Sequence, residues 1–170
     1  AIRVVLFALL PSWGLSNAAA TMVGQSLGAG KADRAEEAVW RAGRLNLVFL
    51  GTVGALFVFA APSIVAIFTG DPEVSRYAVL GLRIVSVGFP FYAYGMVVSN
   101  AFNGAGDTRA PTLLNYLCFC LWEIPLAFTL AKVAGLGPTG VFIAIPVAFS
   151  TLALASAMIF KRGAWKQRVI

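Results

Sequence analysis

The sequence predicts an all-α fold, a polytopic bundle of about five membrane-spanning helices. Of its 170 residues, 59% are hydrophobic and only 12% are charged. A helix of roughly 20 apolar residues crosses about 30 Å of hydrocarbon, and only a helix satisfies its own backbone hydrogen bonds there. The predicted spans cover nearly the whole chain, as one transmembrane unit over residues 1–170. They are residues 2–27, 45–68, 74–102, 111–133 and 139–160.

The basic residues predict the orientation of these spans. Successive helices alternate in direction, so the loops 28–44 and 103–110 share a side with the C-terminal tail. Nine basic residues belong to that side: Lys31, Arg34, Arg41, Arg44, Arg109, Lys161, Arg162, Lys166 and Arg168. Arg3, Arg76, Arg83 and Lys132 belong to the other. The positive-inside rule therefore predicts a multi-pass cell-membrane protein with a cytoplasmic C-terminus. The net charge of +6 reflects this orientation and not a nucleic-acid partner, and the lipid bilayer is the expected environment.

The chain enters its first span almost at once after Ala1. No charged leader and cleavage site precede that span, so no signal peptide is predicted. We expect the chain to be part of a longer protein.

Glycine, aspartate and proline mark the predicted loops. Gly28-Ala29-Gly30 ends the first span, as glycine does in a left-handed helix stop, and residues 31–44 are expected to form a short, charged interfacial helix. Asp71 suits an N-cap and Pro72 the first helical position. The segment 27–35 is echoed by 103–110, which we interpret as two similar helix stops, each followed by an anchoring arginine.

Prolines and glycines inside the spans indicate bends and close packing. A proline within a span removes one backbone hydrogen bond and can kink the helix; these are Pro11, Pro62, Pro90, Pro125 and Pro146. Gly81, Gly88 and Gly95 recur every seven residues along the third span. They predict a smooth seam at which another helix approaches closely.

Polar side chains predict which helix faces avoid lipid. Successive residues of a helix advance by about 100°, and on that wheel one third of the fourth span carries Thr112, Asn115, Tyr116, Trp122 and Glu123. This arc is expected to face protein or a water-filled cavity. In the first span, Trp13, Asn17, Thr21 and Gln25 follow one another at i+4. They either bond to other helices or line a cavity. Asn100, near the end of the third span, is a further cavity candidate, as are Tyr92 and Tyr94 beside Pro90, although these three do not share one narrow face.

Glu123 is the only acidic residue deep in any predicted span. A charged carboxylate at that depth costs about 3 kcal/mol, so protonation or a partner is expected. Two interpretations are open at this point. Glu123 is a protonatable site coupled to transport, or it is a structural hydrogen-bonding residue, for example a partner of Arg83.

The sequence carries no signature of an enzyme. It has no histidine, no Gly-x-Ser-x-Gly motif and no acidic cluster. Cys118 and Cys120 are two positions apart, so on a helix they point away from each other and do not form a zinc pair. We therefore predict no catalytic residues, no metal site and no cofactor.

Ordered motifs along the chain resemble those of the multidrug and toxic compound extrusion (MATE) transporters. Residues 18–35, AAATMVGQSLGAGKADRA, are similar to a family span that ends in a related run before a charged loop. The later landmarks, in the family's order, are FTGDPEV (68–74), LRI (82–84), NGAGDT (103–108) and WEIPLA (122–127). The resemblance extends over essentially the whole chain.

The resemblance implies helices eight to twelve of a twelve-helix fold made of two lobes. It also implies export of organic cations in exchange for H⁺ or Na⁺, by rocking of this lobe against the N-terminal lobe of the same protein. Two departures matter. The family's usual coupling carboxylates lie on helices largely absent from this chain, and the third span lacks the aspartate that some members carry. Glu123 is therefore a candidate from its position alone.

Two other functions are open to a chain of this kind. The first is a related flippase for lipid-linked saccharides, whose cavity would need more cationic side chains than Arg83 provides. The second is a non-transporting membrane assembly subunit, against which an intramembrane carboxylate argues. Water access to Asn115 and Thr112 would separate a transport pathway from a scaffold.

Overall fold

The computed structural model describes residues 2–167, with side chains from 5 to 166, and this part of the chain consists of helices joined by short turns, without strands. The predicted all-α class is confirmed. Arg3 and Arg168, used above for orientation, lie outside the described side chains. The α-helices are α1 (Ile2–Gly28), α2 (Ala32–Ala66), α3 (Pro72–Val87), α4 (Phe89–Gly104), α5 (Arg109–Asn115), α6 (Ile124–Phe128) and α7 (Pro138–Lys161). π-Helical segments, Tyr116–Glu123 and Thr129–Val133, flank α6, and a 3₁₀ turn, Ala164–Gln167, follows α7.

Five spans result if a bent pair of helices is taken as one. Val5–Gly28, Ala32–Ala66, Arg109–Val133 and Pro138–Lys161 are each long and apolar enough to cross a membrane. Helices α3 and α4 together form the remaining span, bent by 51°. The bend lies at Gly88, with Pro90 in the first turn of α4, so the expected kink at Pro90 is present. Pro11, Pro62 and Pro146 lie inside continuous helices instead.

The predicted separate helix at residues 31–44 is wrong. Helix α2 runs without interruption for 35 residues. Gly43 lies inside this helix at a close contact, since a β-carbon there would lie 3.0 Å from Cε1 of Tyr94 on α4. The charged first part of α2 and its apolar remainder therefore form one continuous helix.

The predicted turn signals are confirmed in atomic detail. Gly30, after α1, has a φ of +69°, in the left-handed region that only glycine adopts without strain. Asp71 caps α3, because its Oδ1 accepts hydrogen bonds from the backbone N–H of Glu73 at 2.9 Å and of Val74 at 3.1 Å. Pro72 opens the helix at the position where its missing N–H costs nothing.

Helix α4 is the centre of the bundle. It packs against α1, α2 and α7, while α3 packs against α2 and α7. A buried amide joins α2 to α4, because Nδ2 of Asn46 donates to the backbone carbonyl of Ala93 at 3.0 Å. The position of α4 is therefore fixed from three sides.

The glycine seam of the third span lies against α7. A β-carbon on Gly81 would meet Cζ of Phe142 at 2.8 Å, and one on Gly88 would meet Cβ of Pro146 at 2.7 Å. One on Gly95 would lie 3.2 Å from the backbone nitrogen of Ala153. The predicted packing role of these three glycines is confirmed.

The segment after α7 is fastened to the start of α2. Trp165 is buried; its ring stacks on Phe160 with centroids 4.5 Å apart, and its Nε1 donates to the Phe160 carbonyl at 2.9 Å. Nζ of Lys166 lies 2.5 Å from Oε2 of Glu36 and 3.2 Å from Oδ1 of Asp33. The hydrogen bond to Glu36 raises the pKa of Lys166 above its ordinary value, and the hydrogen bond to Asp33 adds a smaller effect in the same direction. This contact ties the end of the last span to the second.

The crossing of α1 and α4 gives a stability prediction. A β-carbon on Gly104 would lie 2.1 Å from the carbonyl oxygen of Ala20, whereas one on Gly51 of α2 would meet nothing within 4 Å. Because a backbone atom cannot move aside cheaply, Gly104→Ala should destabilise the chain by about 1–3 kcal/mol. Gly51→Ala should be neutral or stabilising, since alanine is the better helix former. Thermal unfolding of both purified variants in detergent measures the difference, and equal melting temperatures would contradict this packing.

Candidate functional site

A pocket of about 500 Å³ lies among α1, α4, α7 and the fourth span. This volume is within the range of small-molecule sites in proteins. Its walls are aromatic, amide, hydroxyl and aliphatic side chains, and none of them is charged. They are Trp13, Asn17, Tyr92, Met96, Ser99, Asn100, Asn115, Phe119 and Leu152.

Helical periodicity places several of these side chains together. Tyr92, Met96, Ser99 and Asn100 follow one another at intervals of three, four or one along α4, which puts them on one face. On α1, Trp13 and Asn17 are one turn apart. Sequence spacing within each helix therefore supplies two walls, and the packing of α1 on α4 brings the walls together.

The pocket has a buried floor and an open rim. Met96 and Ser99 on α4 are buried, whereas Trp13, Asn17 and Asn115 are exposed. The mouth therefore opens between α1 and the fourth span, towards the outside of this bundle.

Two aromatic rings that line the pocket pack against a third ring behind it. Phe149 of α7 lies between Tyr92, with ring centroids 4.3 Å apart, and Phe119, at 6.3 Å in an edge-on arrangement. Such contacts restrict the rotation of both rings. Tyr92 and Phe119 are thus presented to the pocket as fixed surfaces.

The polar groups of the pocket are neutral and partly uncommitted. Oδ1 of Asn100 accepts a hydrogen bond from Nδ2 of Asn103 at 3.1 Å. The hydroxyl of Ser99 makes no hydrogen bond within the described part of the chain. Amide oxygens, a hydroxyl and ring faces attract a cation by their dipoles and quadrupoles without a formal negative charge.

The structure brings together three of the nine residues proposed from sequence. Asn17, Asn100 and Asn115 line the pocket, each from a different helix. Gln25 lines a second, smaller pocket at the end of α1. The remaining five, which line neither pocket, are Thr21, Thr112, Tyr116, Trp122 and Glu123.

The two threonines bond within their own helices. Oγ1 of Thr21 donates to the carbonyl of Asn17 at 3.0 Å, and Oγ1 of Thr112 to the carbonyl of Thr108 at 2.7 Å. These bonds satisfy the hydroxyls without a neighbouring helix.

The π-helical segment changes the predicted polar arc of the fourth span. A π-helix closes each hydrogen bond one residue later than an α-helix, so each residue advances less around the axis. The change begins at Tyr116, directly after Asn115. The α-helical wheel therefore places Asn115 correctly but not Trp122 or Glu123, which lie at the far end of the segment.

Arg83 is not the partner of Glu123. Its Nε donates to the backbone carbonyl of Val58 at 3.0 Å, which ties α3 to α2. No ion pair involves Glu123 within residues 5–166. Glu123 is partly exposed on the fourth span, and its role as a pathway residue stays a prediction.

Sequence reasoning named Trp13 and Tyr92 as cavity residues outside its main candidate set, and it missed four other residues of the pocket. Trp13 heads the polar ridge of α1, and Tyr92 lies beside the kink-forming Pro90, so both carried a signal. Met96, Ser99, Phe119 and Leu152 carried none, because an apolar or small side chain in a membrane span is most often a packing residue.

Comparison with known proteins now identifies the family. The MatE family model matches residues 1–129 of the chain. The chain belongs to the MatE family. Among curated relatives, the probable multidrug resistance protein NorM of Thermotoga maritima is 27% identical over 99% of this chain. The NorM protein of Rhodopseudomonas palustris is 31% identical over 86% of it.

Solved structures share this arrangement of helices. The MATE transporter ClbM in complex with Rb⁺ superposes with a TM-score of 0.91, at 26% identity over 99% of this chain. An inward-facing MATE family transporter of the MOP superfamily superposes with a TM-score of 0.89 at 20% identity.

This MatE chain spans about a third of the length of its curated relatives: 36% of the Thermotoga maritima protein and 32% of the Rhodopseudomonas palustris protein. It also covers 40% of the ClbM chain. Its relatives are membrane transporters with multidrug resistance names and not enzymes, which confirms the non-enzymatic prediction. The chain is therefore a transmembrane segment of lobe size within a multidrug transporter family.

Water access to the pocket can be tested with single cysteines. In a chain with Cys118 and Cys120 replaced by alanine, Asn115→Cys should react with a membrane-impermeant maleimide, because Asn115 lines the open pocket. Leu113→Cys, two residues away on the exposed apolar surface, is the control and should stay unlabelled in a bilayer. Equal labelling of both would show that the pocket is not a separate aqueous space.

Proposed function

We propose that this chain forms the second lobe of a MATE transporter that exports organic cations in antiport with H⁺ or Na⁺. The observation that carries the proposal is the 500 Å³ pocket, whose lining is aromatic and amide-rich but uncharged. Binding of an organic cation over a tryptophan or tyrosine face contributes about 0.5–2 kcal/mol. Neutral walls suit varied cations, because no fixed carboxylate dictates where the positive charge must lie.

The open rim of the pocket supports a two-lobe protein. Trp13, Asn17 and Asn115 are exposed in this chain, although they are among its most polar or amphipathic span residues. Contact with lipid is unfavourable for such a surface. An N-terminal lobe placed opposite α1 and the fourth span would close the pocket into a central cavity. Rocking of the two lobes would then expose the cavity to each side in turn.

We propose a monovalent cation, H⁺ or Na⁺, as the coupling ion. Antiport requires that the ion and the substrate favour different conformations. The structural relative ClbM was solved with Rb⁺, a monovalent cation, which supports a monovalent cation as the exchanged ion. Glu123 remains a proposed site for a proton, because it is a carboxylate within a span.

The proposed orientation places the C-terminus in the cytoplasm of a cell-membrane protein. Among described side chains, Lys31, Arg34, Arg41, Arg44 and Arg109 belong to the end of the bundle where α1 ends and α7 ends. The positive-inside rule assigns that end to the cytoplasm.

The flippase alternative is disfavoured by the lining of the pocket. A lipid-linked saccharide carries phosphate groups, which are bound by cationic side chains. Among the side chains of residues 5–166, no lysine or arginine lines the 500 Å³ pocket.

Two tryptophans offer a matched test of cation binding. Trp13 is 52% exposed and lines the pocket, whereas Trp122 is 47% exposed and does not. Trp13→Ala should weaken tetraphenylphosphonium binding by about 2- to 30-fold, the range expected from loss of one cation–π contact. Trp122→Ala should leave it unchanged. Calorimetric titration of the purified chain measures both, and equal losses would contradict a cation site in the pocket.

Transport requires the opposing N-terminal lobe as well, and it is measured in a separate experiment. Ethidium efflux from cells should occur when this chain is joined to an opposing lobe, and Trp13→Ala should reduce it more than Trp122→Ala. The chain expressed alone should give no efflux. Robust ion-coupled efflux by the chain alone would overturn the two-lobe proposal.

A further inference from the structure

Two loops at the same end of the bundle have the same backbone shape. In the first, Gly30 has a φ of +69°, and the N–H of Lys31 donates to the carbonyl of Ser26 at 2.8 Å. In the second, Gly106 has a φ of +72°, and the N–H of Asp107 donates to the carbonyl of Phe102, also at 2.8 Å. Lys31 and Asp107 therefore occupy equivalent positions in the two loops, one residue after the left-handed glycine; α2 begins at the next residue after Lys31, and α5 begins two residues after Asp107.

The two positions carry opposite charges, with different consequences for the helix that follows. Oδ1 of Asp107 accepts hydrogen bonds from the backbone N–H of Arg109 at 3.2 Å and of Ala110 at 3.1 Å. At the first loop, Lys31 makes no side-chain hydrogen bond to the start of α2. The first N–H groups of that 35-residue helix have no intrahelical partner and carry its positive dipole end.

A pocket of about 130 Å³ lies beside this uncapped helix start. Its lining includes two cations and two neutral polar side chains, and no acidic residue. It consists of Met22, Gln25, Ser26, Ala29, Lys31 and Arg34. Neither Lys31 nor Arg34 forms an ion pair with any described acidic residue.

The acidic residues nearest in sequence are committed elsewhere. Asp33 and Glu36 both bind Lys166 of the C-terminal tail, and Glu37 binds Arg41 at 2.6 Å. None of these carboxylates lines the pocket. The positive charge at Lys31 and Arg34 is therefore not neutralised by the described residues.

Ser26 is an independent indication of a ligand. It is only 8% exposed and lines the pocket, yet its hydroxyl makes no hydrogen bond to any other described residue. The side chain is thus more than nine-tenths buried, while its hydroxyl borders the pocket and is free to donate to a ligand there. A ligand that accepts hydrogen bonds would satisfy it.

We propose that this pocket binds a phosphate group, supplied by an anionic lipid headgroup or by free phosphate. The bound oxygens would stand where the Asp107 carboxylate stands in the second loop. The ammonium of Lys31, the guanidinium of Arg34, the hydroxyl of Ser26 and the uncapped N–H groups of α2 are all donors suited to phosphate. The site lies at an end of the spans, where lipid headgroups are present. It is separate from the 500 Å³ pocket, with which it shares no lining residue.

The test uses the purified chain and a graded set of variants. Lys31→Asp reproduces the second loop and should cap α2 itself, which abolishes phosphate binding. Lys31→Gln should weaken binding by about fivefold, as expected for one basic residue near anionic lipid. Ser26→Ala removes only the hydroxyl and should weaken it by about threefold. Lys161→Gln removes the same charge at the same end of the bundle, outside the pocket, and is the control.

Two probes distinguish the sources of the phosphate group. Native mass spectrometry counts retained phosphatidylglycerol against phosphatidylcholine, whose choline neutralises its phosphate, and calorimetry measures inorganic phosphate. A preference for phosphatidylglycerol that depends on Lys31 and Ser26 supports a lipid ligand. Binding of inorganic phosphate with the same dependence supports a free anion. Absence of both, or equal losses in Lys31→Gln and Lys161→Gln, would overturn the proposal.

Discussion

The fold depends on how closely α4 approaches its neighbours. In a bilayer, lipid tails are as apolar as leucine, so helices associate through close contact and buried hydrogen bonds and not through the hydrophobic effect. Gly104 allows α4 to lie against the backbone of α1 at Ala20, and Gly95 allows the same against α7. Asn46 adds a hydrogen bond from α2. Because α1, α2 and α7 are all placed by α4, the walls of the pocket follow from these contacts.

Local chemistry made the ends of most helices predictable. Gly30 and Asp71 act through residues adjacent in the chain, a left-handed turn and a cap, so their effect does not depend on the rest of the fold. The glycine seam was predictable for a related reason, since a repeat of seven keeps one helix face smooth. Gly43 shows the limit. The charged composition of residues 31–44 indicated a separate interfacial helix, but the backbone continues through Gly43, which packs against Tyr94 inside α2.

The pocket could be predicted only in part, because it is assembled from four spans far apart in the chain. The ridge on α1 identified Asn17, but spacing alone did not separate cavity lining from interhelical bonding. Asn17 lines the pocket, while Thr21 on the same ridge bonds back to its own helix. In the fourth span, the α-helical wheel fails after Asn115 because the π-helical segment begins there. Nothing in the local sequence signals that change of hydrogen bonding.

The distribution of charge separates two kinds of chemistry in this chain. The end of the bundle carries fixed charges, some paired through Lys166 and Arg41 and some left unpaired at Lys31 and Arg34. The described lining of the 500 Å³ pocket has none, so the cation binding we propose there would depend on dipoles and ring faces alone. Neutral walls of this kind neither take up nor release a proton near neutral pH. If the antiporter we propose uses protons, the group that couples them must therefore lie outside this pocket, on Glu123 of the fourth span or in the opposing lobe.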